Sequence, residues 1–365
     1  SYNSISGHAG FLPWRQMIWQ HYQHQSGTAL ERIDHTINHF NAMFESNPSL
    51  LENNPALKAA WGRIQAADRH YLLHEYFNAN WDCFSLSQVN ELMQTAKLQF
   101  VGTTTSNPYI NHLAMDENRL AQVQSQPNVL AAESWRDVLL GNTFRQDLYI
   151  KGGEELNQAA ILRRLQKQRF VCTVEASQFT NFLFNPQDNR QFNSDLFEPV
   201  KETLVAEAYA PKSFAQIQAA VGSKYTWQHI LQVLLLKISA GHLQPCVDQD
   251  TAQTRQQCHD LNAAILGKLD DKIAGVYVAS PVTGMGLTLE FIYSWCLRTW
   301  LQQPEATQND IAENIWQCLQ VHGRALVDEE GKSLNVREEH FDFLAKKLAD
   351  VSSLRQLWQT LNLLP

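Results

Sequence analysis

The sequence predicts a mainly α protein: a helical N-terminal region, a winged-helix-like middle module and a helical C-terminal domain with a small β element. Three observations carry that expectation. Apolar residues recur at three- and four-residue steps through most of the 365 residues, the spacing of one helix face. Helix-start chemistry precedes the clearest of these stretches, with Thr28 followed three residues later by Glu31. Strand-like runs are short and isolated, the best being 170–174 and 276–282.

In chain order, Phe11, Trp14, Ile18 and Tyr22 mark a first helix. Thr28 and Glu31 then form a capping box, ahead of an apolar face of Leu30, Ile33, Ile37, Phe40 and Phe44. Asn47-Pro48 and Asn54-Pro55 punctuate the loop that follows. Further helices are expected over 57–77 and 87–98. The polar segment 103–128, with Pro108 and Pro127, reads as a connector, and apolar spacing resumes over 135–144. A short helix over 155–168 and the β-like run 170–174 lead into a loop rich in Asn, Asp and Gln at 185–195.

Three helices come next. Leu204 and Val205 mark one, Phe214, Ile217 and Val221 the second, and Trp227, Ile230, Leu231, Leu234, Leu235 and Ile238 the third. Gly241 supplies a C-cap because glycine enters the left-handed region at no steric cost, and 242–245 reads as a strand. Three helices and a following β element form the layout of a winged-helix module. The remainder opens with a polar stretch (248–257), then the run 276–282 and helices over 289–301 and 310–321. Phe341, Leu344, Leu348, Val351, Leu354, Trp358 and Leu361 mark a long closing helix. The expected divisions are 1–115, 116–150 (connector and helix), 151–247 and 248–365.

Composition narrows the function. With 44% hydrophobic residues the chain can bury sizeable cores, which excludes wholesale disorder. The net charge is −8, so neither phosphate neutralisation nor an anionic bilayer is a natural partner. No apolar run approaches the roughly 18 residues of a membrane span, and no basic-then-apolar leader opens the chain. The six cysteines, Cys83, Cys172, Cys246, Cys258, Cys296 and Cys318, contain no C-x-x-C pair. They fit reduced thiols in a cytoplasmic protein. Between Thr226 and Ser239 the only basic residue is Lys237, so the third helix of the middle module is expected to pack against protein and not to read DNA.

Motif tests are negative. His74-Glu75 lacks the second histidine of H-E-x-x-H, because position 78 is Asn78. Gly331-Lys332-Ser333 lacks the earlier glycine of a phosphate loop, whose place Leu326 takes. Gly284-Met285-Gly286 has no third glycine. His35 and His39 stand one helical turn apart, with His21 and His24 nearby, but no third metal ligand is apparent. No nucleophile motif is present. From spacing alone, no catalytic residue, cofactor site or metal site is expected.

A resemblance adds to this reading. Ser1-Tyr2-Asn3-Ser4-Ile5-Ser6-Gly7, followed by Pro13-Trp14-Arg15-Gln16-Met17 and His21, resembles the start of the methyltransferase regulatory domain family. Tyr71-Leu72-Leu73-His74-Glu75-Tyr76-Phe77 resembles its second signature, and Phe84 and the run 96–101 continue the likeness. Phe144-Arg145-Gln146-Asp147-Leu148 resembles its F-R-x-x-L element. Val278-Ala279-Ser280-Pro281-Val282-Thr283-Gly284 resembles a motif near the end of its longer members. Ser6 and His8 stand where the family usually has proline and tryptophan.

The order of parts is similar to bacterial AdoMet-dependent protein lysine methyltransferases, in which a Rossmann-like cofactor domain comes first. A class I domain needs alternating strands and helices with a Gly-rich loop after the first strand, and the expected elements supply neither. The resemblance therefore implies a regulatory and substrate-binding portion, inactive alone, whose full-length enzyme uses S-adenosylmethionine. It implies Tyr2, Asn3, Arg15, His74 and Glu75 as substrate-binding residues. It also implies an AdoMet-binding catalytic domain in cis or in trans, a protein substrate and a homodimer as partners, with no nucleic acid and no membrane. Two alternatives stand beside it: the corresponding part of a small-molecule methyltransferase, and a stand-alone helical scaffold or adaptor.

Overall fold

The computed structural model describes residues 1–104, 115–183, 190–248, 250–269, 275–328 and 330–365. Parts of the expected connector (103–128), loop (185–195) and polar stretch (248–257) lie outside the described residues. The fold is mainly α, and the chain divides into two units, Ser1–Glu155 and Leu156–Pro365.

Capping chemistry places the helices of the first unit. Helix Leu12–Gln23 buries Ile18 and Tyr22. Helix Ala29–Ser46 begins at the Thr28–Glu31 capping box: Thr28 N–H donates to Glu31 Oε2 at 2.7 Å, and Glu31 N–H to Thr28 Oγ1 at 3.3 Å. Its buried face is Ile33, Ile37, Phe40 and Phe44. With Leu57, Trp61, Ile64 and Leu72 these side chains form the unit's core, each worth about 1.5–3 kcal/mol of burial.

The helix expected over 57–77 is two helices, Pro55–Ala66 and Arg69–Glu75. Asp68 makes the break. Its carboxylate accepts the backbone N–H of His70 (2.9 Å) and of Tyr71 (3.2 Å), and so starts a new helix inside one continuous apolar pattern.

The next helix is Leu86–Thr95, opened by a Ser85–Gln88 capping box. Beyond it the chain turns at Lys97, whose φ is 58°, into strand Leu98–Thr103. That strand pairs antiparallel with Asp147–Lys151, β structure that the helical expectation omits. Helix Glu117–Gln124, capped by Asp116, lies within the expected connector. Helix Val129–Leu140 ends at Gly141, with φ 62°.

A second small sheet closes on the chain start. Strand Tyr2–Ser4 lies between Cys83–Phe84, parallel to it, and Phe144–Arg145, antiparallel. Gly7 permits this closure. A Cβ there would sit 2.4 Å from the carbonyl oxygen of Gly141, while Gly7 N–H donates to Asn142 O at 2.9 Å.

In the second unit, strand Arg169–Cys172 runs between Lys212–Ser213 and Leu243–Pro245, antiparallel to both. Helices Ser194–Tyr209, Phe214–Val221 and Trp227–Ser239 accompany this sheet. Its central strand thus precedes the three helices. Among the described residues no strand after Leu243–Pro245 turns back onto it as a wing. The chain enters helix Ala252–Leu266 instead, started by a Thr251–Thr254 capping box where the sequence reads only as polar.

Asn262 on that helix bonds both backbone groups of Ala279, at 2.9 and 2.7 Å. It thereby fixes the hairpin Val276–Ser280/Met285–Leu289, whose turn is made at Gly284 with φ 63°. Helices Phe291–Gln302 and Gln308–Val321 follow. The single closing helix expected is two, Arg337–Lys347 and Val351–Thr360, again divided by an aspartate: Asp350 accepts Ser353 N–H at 3.2 Å. One continuous cluster from Phe170 to Leu364 forms the core of this unit, so its middle and C-terminal parts share a single interior.

Candidate substrate-binding site

The small sheet and the Asp68-capped helix of the first unit build a cavity of about 530 Å³. From the chain start come Asn3 and His8. Arg63 reaches it from helix Pro55–Ala66. Tyr71, Glu75 and Tyr76 come from helix Arg69–Glu75 and its C-cap, Trp81 from the following loop, Phe144 from the last strand of the sheet and Thr143 from the residue just before it.

Its back wall is a set of packed rings. Trp81 lies 6.4 Å from Tyr76, stacked at 24°, and meets His8 edge-on at 5.1 Å. Phe11 supports both from the core, 6.2 Å from Tyr76 and 6.4 Å from Trp81. Burial, helped by the charge of Arg63, pushes the His8 imidazole below its ordinary value, against a hydrogen bond with the backbone of Thr143. His8 is therefore a neutral ring at pH 7. Burial and the charges of Tyr76 and Glu75 raise the Tyr71 phenol, which keeps that group neutral as well. The lining thus combines aromatic faces, one carboxylate (Glu75) and one guanidinium (Arg63), a combination suited to a side chain that is part apolar and part charged.

Of the five residues singled out from the sequence, Asn3 and Glu75 line this cavity together. Arg15 stands behind the wall. Its guanidinium carbon sits 5.1 Å from the Trp81 ring centroid and 5.2 Å from Trp19. Its Nη2 donates to the carbonyls of Tyr76 (3.3 Å) and Asn78 (2.6 Å) at the end of helix Arg69–Glu75, where orphan carbonyls favour a cation. Arg15 is thus a positioning residue. His74 is exposed and lies off the cavity; its backbone carbonyl accepts from Asn78 Nδ2.

Tyr2 points away as well, because successive strand residues face opposite sides. Its hydroxyl donates to Asp147 Oδ2 at 2.8 Å. There it joins a buried network centred on Arg145, which is 2% exposed. Arg145 pairs with Asp137 (2.6 Å), Asp147 (2.9 Å) and Glu133 (3.5 Å), and Arg136 pairs with Glu133. Burial would lower the Arg145 pKa, but the hydrogen bond to Asp147 and the charges of Asp137 and Asp147 outweigh it, and the net shift is upward. The network ties the last strand of the sheet to helix Val129–Leu140.

Sequence reasoning did not single out His8, Arg63, Tyr71, Tyr76, Trp81, Thr143 or Phe144 as site residues. Tyr71, Tyr76 and Phe144 lie inside the family-like stretches 71–77 and 144–148, and His8 and Thr143 lie next to such stretches; Arg63 and Trp81 have no such signal. Among the described residues no group of three His, Cys, Asp or Glu side chains is placed to hold a metal. His39 stacks on His21 at 4.1 Å.

Residues 68–151 match the family described as "predicted methyltransferase regulatory domain". The match relates the chain to methyltransferases and covers Tyr71, Glu75, Tyr76, Trp81, Thr143 and Phe144 of the cavity. An uncharacterised protein of Synechocystis sp. is 25% identical over 348 residues, which span 94% of this chain and 67% of that protein.

The structure of PKMT2 from Rickettsia typhi in complex with AdoHcy covers 100% of this chain and 74% of its own, with a TM-score of 0.59 at 15% identity. A second PKMT2 structure from Rickettsia typhi gives 0.55, also at 15% identity. At that identity the likeness is one of fold. The described residues do not fit a class I AdoMet cradle: their one parallel pairing joins Asn3 and Ser4 to Cys83 and Phe84, with no Gly-rich strand-to-helix turn. No helix of the described residues is long and apolar enough to cross a membrane.

Proposed function

We propose that the chain is the non-catalytic regulatory and substrate-binding portion of an AdoMet-dependent class I methyltransferase that acts on lysine in a protein. Its cofactor domain is supplied in cis or in trans. The observation that carries this reading is the 530 Å³ cavity, whose aromatic faces and single carboxylate, Glu75, come mostly from the segment that matches the regulatory family. The PKMT2 fold likeness supports the choice of a protein acceptor over a small molecule.

Bound AdoMet would supply the methyl group, and this chain orients the acceptor. Transfer is in line, so holding the acceptor in register lowers the entropic part of the barrier. Glu75 attracts the cationic end of an acceptor segment, and Tyr71, Tyr76 and Trp81 cover its apolar stem. Asn3 offers an amide to a peptide group. Arg15 keeps the Trp81–Tyr76 wall in place.

Two measurements test this. Calorimetric titration of AdoMet into this chain alone gives no heat of one-to-one binding at high micromolar cofactor. With the cofactor domain present, Glu75→Gln and Asn3→Ala each lower kcat/KM for the protein acceptor about ten-fold, a loss of roughly 1.4 kcal/mol, while the KM for AdoMet holds. Clear AdoMet binding by the chain, or unchanged transfer by both variants, refutes the assignment.

A further inference from the structure

The second unit carries a cavity of different chemistry. It measures about 610 Å³ and opens where the turn after strand Arg169–Cys172 meets helices Phe291–Gln302 and Arg337–Lys347. At its base is Glu175. This residue is only 9% exposed, yet among the described residues its carboxylate has neither a hydrogen bond nor an ion pair. Its oxygens are also not sealed into the core, so they open on the cavity.

A carboxylate so largely withdrawn from water, yet open on a cavity, is stabilised by a cation that joins it there. Asp350 lines the same cavity, and burial together with the charge of Asp350 pushes the Glu175 pKa up. The two acids thus repel each other, and among the described residues no cation is ion-paired with Glu175. Tyr293 and Phe343 form aromatic walls. Tyr293 is held in place by Gln178, which donates to its hydroxyl at 3.3 Å, and by Trp358, edge-on at 6.5 Å. Four carboxylates in all face the exposed ammonium groups of Lys346 and Lys347, and neither lysine is ion-paired with Glu175 or Asp350 among the described residues.

We propose that this cavity binds an alkylammonium group, with Glu175 as its buried counter-ion and Tyr293 and Phe343 as its aromatic walls. A point charge on a flexible carbon stem suits a narrow acidic base better than a planar guanidinium, which seeks a bidentate partner. The group is that of a lysine side chain in a polypeptide; a free polyamine presents the same chemistry. The inference is independent of methyl transfer, because every residue it uses lies outside the segment that matches the regulatory family.

The test is calorimetry on the full chain with acetyl-Ala-Lys-Ala-amide, with spermidine, and with acetyl-Ala-Ala-Ala-amide as the uncharged control. The lysyl peptide binds one to one and the control does not. Glu175→Gln weakens binding by at least about ten-fold, the scale of one charge-assisted hydrogen bond. The same variant melts no lower than the parent, since it removes an uncompensated charge; a purely structural glutamate would lower the melting temperature. Lys346→Gln, on the exposed rim, tightens binding by removing a competing cation. Binding of spermidine alone keeps the alkylammonium site and assigns it to free amines. Absence of binding by both ligands, or equal affinity in the parent and Glu175→Gln, overturns the proposal.

Discussion

Lys237 gives the sharpest stability prediction. It sits on helix Trp227–Ser239 with no exposed surface, its Nζ 5.8, 5.4 and 5.3 Å from the ring centroids of Phe179, Phe192 and Phe197. It donates to the carbonyl oxygen of Phe182 at 2.7 Å. Burial first, and repulsion by Lys201 second, push its pKa down from 10.5 to about 8. At pH 7 both the folded and the unfolded chain carry the proton, and keeping it in the fold costs about 3 kcal/mol relative to the neutral amine.

The sign follows from linkage. Between the two pKa values the unfolded chain binds more protons, so stability from this group rises with pH from about 8 to 10.5. It is lost again as pH falls through the folded value. Lys237→Met removes the charge but strands the Phe182 carbonyl, at a cost of about 1–3 kcal/mol. The variant should therefore be up to about 2 kcal/mol more stable near pH 7, and that advantage should vanish or reverse near pH 10. Urea denaturation of both proteins over this range gives the difference, in which other titrating groups cancel. The difference should change by about 2.5 kcal/mol. A difference that stays flat with pH would refute the argument, because it would mean Lys237 keeps an ordinary pKa.

Two further substitutions test the sheet at the chain start. Arg145→Met leaves Asp137 and Asp147 buried without their cation and should cost about 3–5 kcal/mol, read as a fall in the denaturation midpoint of the first unit; a loss under 1 kcal/mol would sink the network's structural role. Gly7→Ala places a methyl 2.4 Å from the Gly141 carbonyl oxygen and should cost about 1–3 kcal/mol by overpacking, with faster amide exchange in Tyr2–Ser4 as the accompanying sign.

The sequence displays helix starts better than helix interruptions. The Thr28–Glu31 box is a two-residue signal at a fixed offset, and its hydrogen bonds form as the spacing requires. Asp68 and Asp350 each begin a helix too, but they stand inside apolar patterns that continue across them, and periodicity alone joins the two halves. The short strands left even less trace. Tyr2–Ser4 and Phe144–Arg145 are three and two residues long, too short for alternation to register. Their pairing crosses most of the first unit, so no local pattern announces it. Helix Ala252–Leu266 escaped notice for the opposite reason: it buries little beyond Asn262 and Leu266, so its apolar period is faint.

The same geometry explains which candidate residues meet. Consecutive residues on a helix are separated by roughly 100° of rotation, so Glu75 lines the cavity while His74 faces away from it. Consecutive residues on a strand alternate, so Asn3 faces the cavity while Tyr2 reaches Asp147 on the other side. A motif read from sequence names a stretch of chain, and the element's period decides which of its members reaches the site. Arg145 makes the point from the other side. The F-R-x-x-L stretch was legible, yet within it Phe144 lines the cavity and Arg145 is consumed by three carboxylates. Only the alternation of that two-residue strand, once its partner Tyr2–Ser4 is known, separates the residue that lines the cavity from the one that holds the sheet.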